Sequence, residues 1–396
     1  MMSVWSSLVG QEAAVAKLSD AAASARAIVA SRGGRASDEA RSMSHAWLIT
    51  GPPGSGRSVA ARAFAAALQC TGETPGCGAC PGCRTTMART NADVVFAATE
   101  TSIINVDTAR SLVLQAQSSP SQGLWRVIVV EDADRLGESG ANALLKAIEE
   151  PPEHTVWLLC APSPEDMIAT IRSRCRHLGL RIPTATAVAD LLVREGIATP
   201  EVALEAARAA QSHIGLARAL ARDPQMRERR RSIITAPASV RSVGEAVMAA
   251  DRLLETAKAQ ADAQVSDRNA REKADLLRQL GMEESENATK ASRTMLRQLE
   301  EDQKRRSKRA LTDAIDRALI DLLAIYRDVL MVQVGGDGEL INTDLSELVH
   351  QIAHDSTPHQ TLARVDHIET ARKRLVANGN PLLVLEDMAI SLRPQA

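Results

Sequence analysis

Two stretches of this 396-residue chain carry residues whose types and spacing can do chemistry. The first is Gly51-Pro52-Pro53-Gly54-Ser55-Gly56-Arg57-Ser58, set between the apolar run Ala46–Thr50 and a helical run that begins at Ser58. Glycines let successive backbone N–H groups turn towards an anion, and the amino end of the following helix adds partial positive charge. The spacing is that of a phosphate loop, G-x-x-x-x-G-K-[ST], with Arg57 standing where lysine is expected. Ser58 supplies the hydroxyl that would hold Mg²⁺, so ATP or ADP with Mg²⁺ is the ligand such a loop would take. Arginine keeps the charge but is planar and larger, and the exchange is not conservative in a tight cradle. Two readings follow: nucleotide binds and is poorly hydrolysed, or the loop only packs.

A later apolar run ends in Glu131-Asp132. A phosphate-loop ATPase places aspartate first, near the metal, and glutamate second, orienting the attacking water. Reversing them displaces each carboxylate by a methylene, enough to misplace a water by about 1 Å. Both departures point away from turnover.

The second stretch holds Cys70, Cys77, Cys80 and Cys83, spaced C-x6-C-x2-C-x2-C among glycines and prolines. Four thiolates with two tight C-x2-C turns suit a tetrahedral structural Zn²⁺ ion with no open position for catalysis. Cys160 and Cys175 read as small buried residues.

The elements that must position these groups alternate in type. Ala46–Thr50, 93–96, 126–130 and 155–160 read as buried strands, with 176–180 a weaker fifth. Helical patterns fall between them, for example 58–69 and 139–150, the latter stopped by Pro151 and Pro152. That alternation predicts an α/β module with a parallel sheet covered on both faces, over residues 1–182. Residues 183–236 read as short helices punctuated by Pro200, Pro224 and Pro237, and residues 237–396 as long helices. The mixed charge of 267–309 fits a solvated helical arm, or else its basic run Lys304-Arg305-Arg306-Ser307-Lys308-Arg309 touches a DNA backbone.

Composition narrows the setting. A net charge of −2 gives no global sign of a nucleic-acid binder, and 2% aromatic residues leave the cores to Ala, Leu, Val and Ile. Neither a long apolar run nor a signal-like leader is present in the sequence, so a cytoplasmic protein with reduced cysteines is expected.

Three further strings give the chain a family resemblance: Leu8-Val9-Gly10-Gln11, the run from Asn142-Ala143-Leu144-Leu145-Lys146 to Pro151-Pro152-Glu153, and Ser173-Arg174-Cys175. With the cysteine module and the order of motifs, they make residues 3–182 resemble the AAA+ subunits of the bacterial DNA polymerase III clamp loader. The resemblance implies an AAA+ P-loop-like domain with a zinc insert, a helical lid (183–236) and an all-α collar for ring assembly (237–396). It assigns Arg174 as an arginine finger acting in trans on a neighbour's ATP; the plain alternative is a surface arginine capping a strand. Arg218 sits where the lid's phosphate-sensing arginine would be, or is a solvated helix residue. Cys160-Ala161-Pro162-Ser163 lacks the threonine that motor subunits present to the γ-phosphate. Altered nucleotide positions beside a retained Arg174 are similar to the delta-prime kind of subunit, a stator with weak or no ATPase of its own. The gamma/tau motor is the nearest alternative, and another AAA+ repair or recombination ATPase a more distant one. Implied partners are gamma/tau and delta in a pentameric ring, the sliding clamp, and primer-template DNA through the complex.

Overall fold

The computed structural model describes residues 3–31, 42–97, 104–240, 242–280 and 290–393. Two compact units divide at 221/222. The sequence boundaries fell at 182/183 and 236/237. The helices 185–194, 200–209 and 214–222 lie in or run to the end of the first unit, and the helix 224–239 joins the second through buried Ile234.

The first unit is built on five parallel strands: β1 (Ala46–Thr50), β2 (Val94–Ala97), β3 (Arg126–Val130), β4 (Thr155–Ala161) and β5 (Arg176–Gly179). Their order across the sheet is β2-β3-β4-β1-β5. Trp47 of β1 stands opposite Leu158 of β4 and Arg176 of β5, so β1 and β5 begin within a residue of each other while β4 starts two residues earlier than β1. The chain crosses from inner β1 to edge β2 and then steps back through β3 to central β4. Right-handed crossovers in opposite directions must place their helices on opposite faces. The helix 57–68 after β1 accordingly shares a core with Ile49, Val129 and Leu158, alongside the helix 12–30. The helices 106–116 and 138–149, after β2 and β3, share the other core with Leu48, Ile128, Trp157 and Leu159. Alternate strand residues thus feed alternate faces, and β1 and β4 are buried throughout.

The helix 57–68 is nearly all alanine on its buried side, which lets it lie close on the sheet. Its one aromatic core residue, Phe64, meets Trp47 edge-on with ring centroids 5.3 Å apart. Such a pair adds about 1 kcal/mol beyond the area it buries. Because the crossovers diverge at β1, a crevice opens beyond its carboxyl end, where α/β sheets bind ligands. The loop 51–58 lies there.

The second unit is helical. Helices 243–279 and 290–333 run side by side, and Ile315, Leu319, Leu322, Ile325 and Val329 meet Leu254, Val349, Ile368 and Leu385. A buried polar chain runs from Asp321 through Arg230 (3.1 Å) and Asn342 (2.6 Å) to Asp328, whose carboxylate accepts from the Asn342 side-chain amide at 2.9 Å. Burial raises the Asp321 carboxyl, and Arg230 opposes it. Residues 281–289 of the charged arm lie outside the described residues.

Candidate functional site

The loop that follows β1 turns on two glycines in the left-handed region. Gly54 has φ +91° and Gly56 +89°, and a Cβ at Gly54 would stand 3.0 Å from the His213 Cα. Gly56 caps the helix that begins at Arg57. Loop residues 52–58 line a cavity of about 400 Å³ together with Arg62, Met87, His213 and Arg218. Ser55 is buried there, and its hydroxyl has no hydrogen-bond partner. Its carbonyl accepts from the Gln11 side chain at 3.3 Å, which also donates to the Arg181 carbonyl at 2.6 Å. The Leu8–Gln11 string therefore ties the phosphate loop to the end of β5. An orphaned hydroxyl inside a glycine-shaped cradle at a helix amino end fits a phosphate group.

Cations surround this cavity. Arg57 folds back and donates to the Gly51 carbonyl of its own loop. Arg62 projects from the alanine helix with its Nε buried and unpartnered. Burial lowers its pKa, the like charges of Arg89 and Arg218 add to the lowering, and Glu131 works against it. Arg218 donates to both oxygens of Glu195, through Nε at 2.8 Å and Nη2 at 2.5 Å.

The carboxylates at the end of β3 are differently placed. Glu131 is only 14% exposed and pairs with Arg89 Nη2 at 2.5 Å. Asp132 opens the 3₁₀ turn 133–135, and the carboxyl of Asp134 is raised by burial and by the charge of Asp132. Arg89 sits just past the helix 81–87 with φ +59°. Its N–H donates to Thr86 and that of Thr90 to Thr85, a helix ending that favours glycine. Any other residue there costs roughly 1–2 kcal/mol. Its guanidinium also lies 4.9 Å from the Phe96 ring centroid. At the end of β4, burial pushes the Cys160 thiol up to about 12, and the Ser163 hydroxyl is engaged with Glu165 at 2.5 Å.

Arg174 stands elsewhere. It precedes β5, whose first residue is level with Trp47 near the start of β1, whereas the phosphate loop follows the end of β1. At about 3.3 Å per residue the two are separated by roughly 15 Å along the strands. Arg174 is 39% exposed, pairs with Glu149, and donates to the Thr170 carbonyl at 2.8 Å. Five candidate groups of the loop and Arg218 therefore share one cavity, Glu131 and Asp132 end the strand beside it, and Arg174 lies at the opposite end of the sheet.

The sulfur atoms of Cys70, Cys77, Cys80 and Cys83 lie within 4.8 Å of one another. Cys80 Sγ and Cys70 Sγ are 3.8 Å apart. Four sulfurs at about 2.3 Å from a common tetrahedral centre would be separated by about this much. The backbone N–H groups of Cys80 and Cys83 donate to the sulfurs of Cys77 and Cys80, each at 3.4 Å. Burial opposes ionisation of Cys80, but donors from Cys83 and Thr71 outweigh it and hold the thiol at about 5; Cys83, more deeply buried, is raised. The donor set fits one soft cation. The module is fastened to its surroundings as well, with Arg26 donating to the carbonyls of Glu73 (2.7 Å) and Cys70 (2.9 Å).

A five-stranded parallel sheet with a phosphate loop after its inner strand β1, a cysteine insert behind the loop helix and helices on both faces defines an AAA+ P-loop-type module. Residues 35–184 match the family described as DNA polymerase III, delta subunit. The chain is 35% identical over 159 residues to DNA polymerase III subunit gamma/tau of Mycobacterium tuberculosis (strain ATCC 25618 / H37Rv), covering 39% of this chain and 28% of that protein. It is also 35% identical over 182 residues to subunit delta′ of Escherichia coli K12, covering 44% and 54%. A gamma subunit-related protein of Thermotoga maritima aligns over 88% of this chain and 93% of its own at 17% identity, with a TM-score of 0.41. The chain thus spans about a quarter of the gamma/tau relative and about half of the delta′ relative. The matched segment is similar to the delta, delta′ and gamma/tau subunits of DNA polymerase III.

Sequence reading missed Arg62, Arg89 and Glu195. Arg62 was legible as the one charge within the alanine run 59–68. Glu195 and Arg89 carry no local signal, because each acts through a partner distant in sequence.

Proposed function

We propose that the chain is a delta-prime-type clamp-loader subunit, a stator whose Arg174 enters a neighbouring subunit's ATP site during loading of the sliding clamp onto primed DNA. The observation that carries this reading is the placement of Arg174 at the end of the sheet remote from its own phosphate loop. A guanidinium so placed serves another subunit's nucleotide better than its own. Its ionic tie to Glu149 joins two half-exposed side chains and is worth at most about 1 kcal/mol. Charge developing on a transferring phosphate would compete with that tie easily.

The own-site features fit the same role. Arg57 is turned onto its loop and Glu131 is held by Arg89, so the loop serves as a phosphate cradle with little or no turnover. The cysteine module holds structural zinc, the helices between 185 and 221 act as lid and the helical unit 222–396 as collar. Gamma/tau, delta, the clamp and primer-template DNA are the partners, in a pentameric ring.

The test is reconstitution with the other loader subunits. Arg174→Ala should leave the complex assembled while its DNA-stimulated ATPase falls by about fivefold or more. Unchanged ATPase would remove the finger role. The equal 35% identity to gamma/tau and delta′ favours a motor reading as much as a stator. Brisk hydrolysis by the chain alone, abolished in Arg57→Ala, would decide for the motor.

A further inference from the structure

The helix ending at residue 89 poses a question of chemistry. Arginine occupies a left-handed position where glycine is favoured, so something must be gained by its side chain. What it reaches is Glu131, at 2.5 Å. Glu131 is one of the carboxylates at the strand end where a phosphate-loop protein gathers its metal shell. With the guanidinium already on it, binding a divalent cation there would require breaking a charge-assisted pair and placing two cationic groups side by side.

The cavity compensates with fixed positive charge. Arg57, Arg62 and Arg218 all line it, and Arg62 brings a buried, unpartnered Nε. The Ser55 hydroxyl, 2% exposed, is likewise unpartnered. Both are donors that a phosphate oxygen would satisfy directly. We infer that this cavity binds the phosphate chain of a nucleotide without a divalent cation, with Arg89 as the positioning residue that withholds Glu131 from a metal. The inference rests on the cradle reading of loop 51–58.

Titration of the full chain with inorganic pyrophosphate and with ATP, each in EDTA and in excess Mg²⁺, tests it. The wild-type chain should bind at least as tightly in EDTA as in Mg²⁺. Arg62→Gln should weaken binding in EDTA by about tenfold. Arg89→Gly suits the local backbone and should therefore fold, yet it frees Glu131, so Mg²⁺ should now tighten binding by about tenfold. Arg89→Lys restores the cation and should return the chain to metal indifference. Wild-type binding that requires Mg²⁺, or an Arg89→Gly variant with an unaltered EDTA-to-Mg²⁺ ratio, would overturn the inference while leaving the cradle intact. Absence of binding in both buffers would remove the cradle as well; the role of Arg174, read from the loader's ATPase, stands apart from either result.

Discussion

Arg218 grips Glu195 with two parallel hydrogen bonds, Nε to Oε2 and Nη2 to Oε1, joining the helix 214–222 to the residue that ends the helix 185–194. Both side chains are about one-third exposed, 32% and 30%. The pair raises the Arg218 pKa and keeps the guanidinium charged, but at that exposure it contributes only about 1 kcal/mol. Arg218 is a cation parked beside the phosphate cavity on a weak tether.

Releasing the tether should therefore help an anion. Glu195→Gln is expected to tighten pyrophosphate binding by about threefold, and Arg218→Ala to weaken it by about tenfold, measured by titration calorimetry. If both variants bind as the wild type does, Arg218 is a helix-surface residue and nothing more.

The cysteine module should be loaded and stabilising. Metal analysis of the purified chain is expected to give about one equivalent of zinc. Cys83→Ser should lose the metal and lower the melting temperature by roughly 5 °C or more. Less than a third of an equivalent in wild-type protein would speak for four unligated thiols.

Asp93 governs acid stability of the sheet module. Its buried carboxylate accepts from the N–H groups of Ser121 (2.6 Å), Gln122 (2.8 Å) and Gly123 (2.6 Å) and from the Ser121 hydroxyl (3.0 Å). Burial alone would raise its pKa, but those donors outweigh it and hold the carboxyl below its usual range. A folded pKa below the unfolded value, about 3.9, means the stabilisation is present above that value and fades as pH falls through the folded one. Asp93→Asn should cost about 3 kcal/mol at neutral pH and flatten the loss of stability below about pH 4. Urea titrations between these conditions would show it, and an equally steep acid limb in the variant would exonerate Asp93.

The charged arm should owe its order to pairing rather than to DNA. Arg306 bonds Glu272 at 2.8 Å and Asn269 at 2.7 Å across the two long helices, while Arg305 pairs with Asp302, Arg309 with Asp313 and Lys308 with Asn378. Arg306→Ala should destabilise the helical unit by about 1 kcal/mol. Replacing Lys304, Arg305 and Arg309 together by alanine should change the isolated chain's affinity for duplex DNA by less than about twofold. A larger loss with a shallower salt dependence would show phosphate contacts.

Most of the sheet module was legible because its signals are local. Alternation of apolar runs with helical ones gave all five strands within a residue, and glycine spacing located a loop whose φ values require it. The sulfur cluster was legible for the same reason, since its four ligands fall within 14 residues of chain. What escaped was long-range pairing. Whether Glu131 faces a metal or Arg89 depends on a turn 42 residues away, and whether Arg218 faces phosphate or solvent depends on Glu195. The boundary near 221 was hidden too: Pro237 reads as punctuation, yet it lies within the helix 224–239, which commits to the second core through Ile234.

The separation of Arg174 from the phosphate loop has a geometric consequence. If, as proposed, Arg174 serves a neighbour's nucleotide while the loop 51–58 cradles phosphate, modules of this kind would meet head to tail, through two different surfaces. Such contacts are heterologous: they never pair off as twofold dimers, and they either close into a ring or leave a free end. On the proposed stator reading, a chain whose offering end is intact and whose receiving end is compromised would break the equivalence of positions around such a ring, and mark one place in it where the circuit of hydrolysis starts or stops.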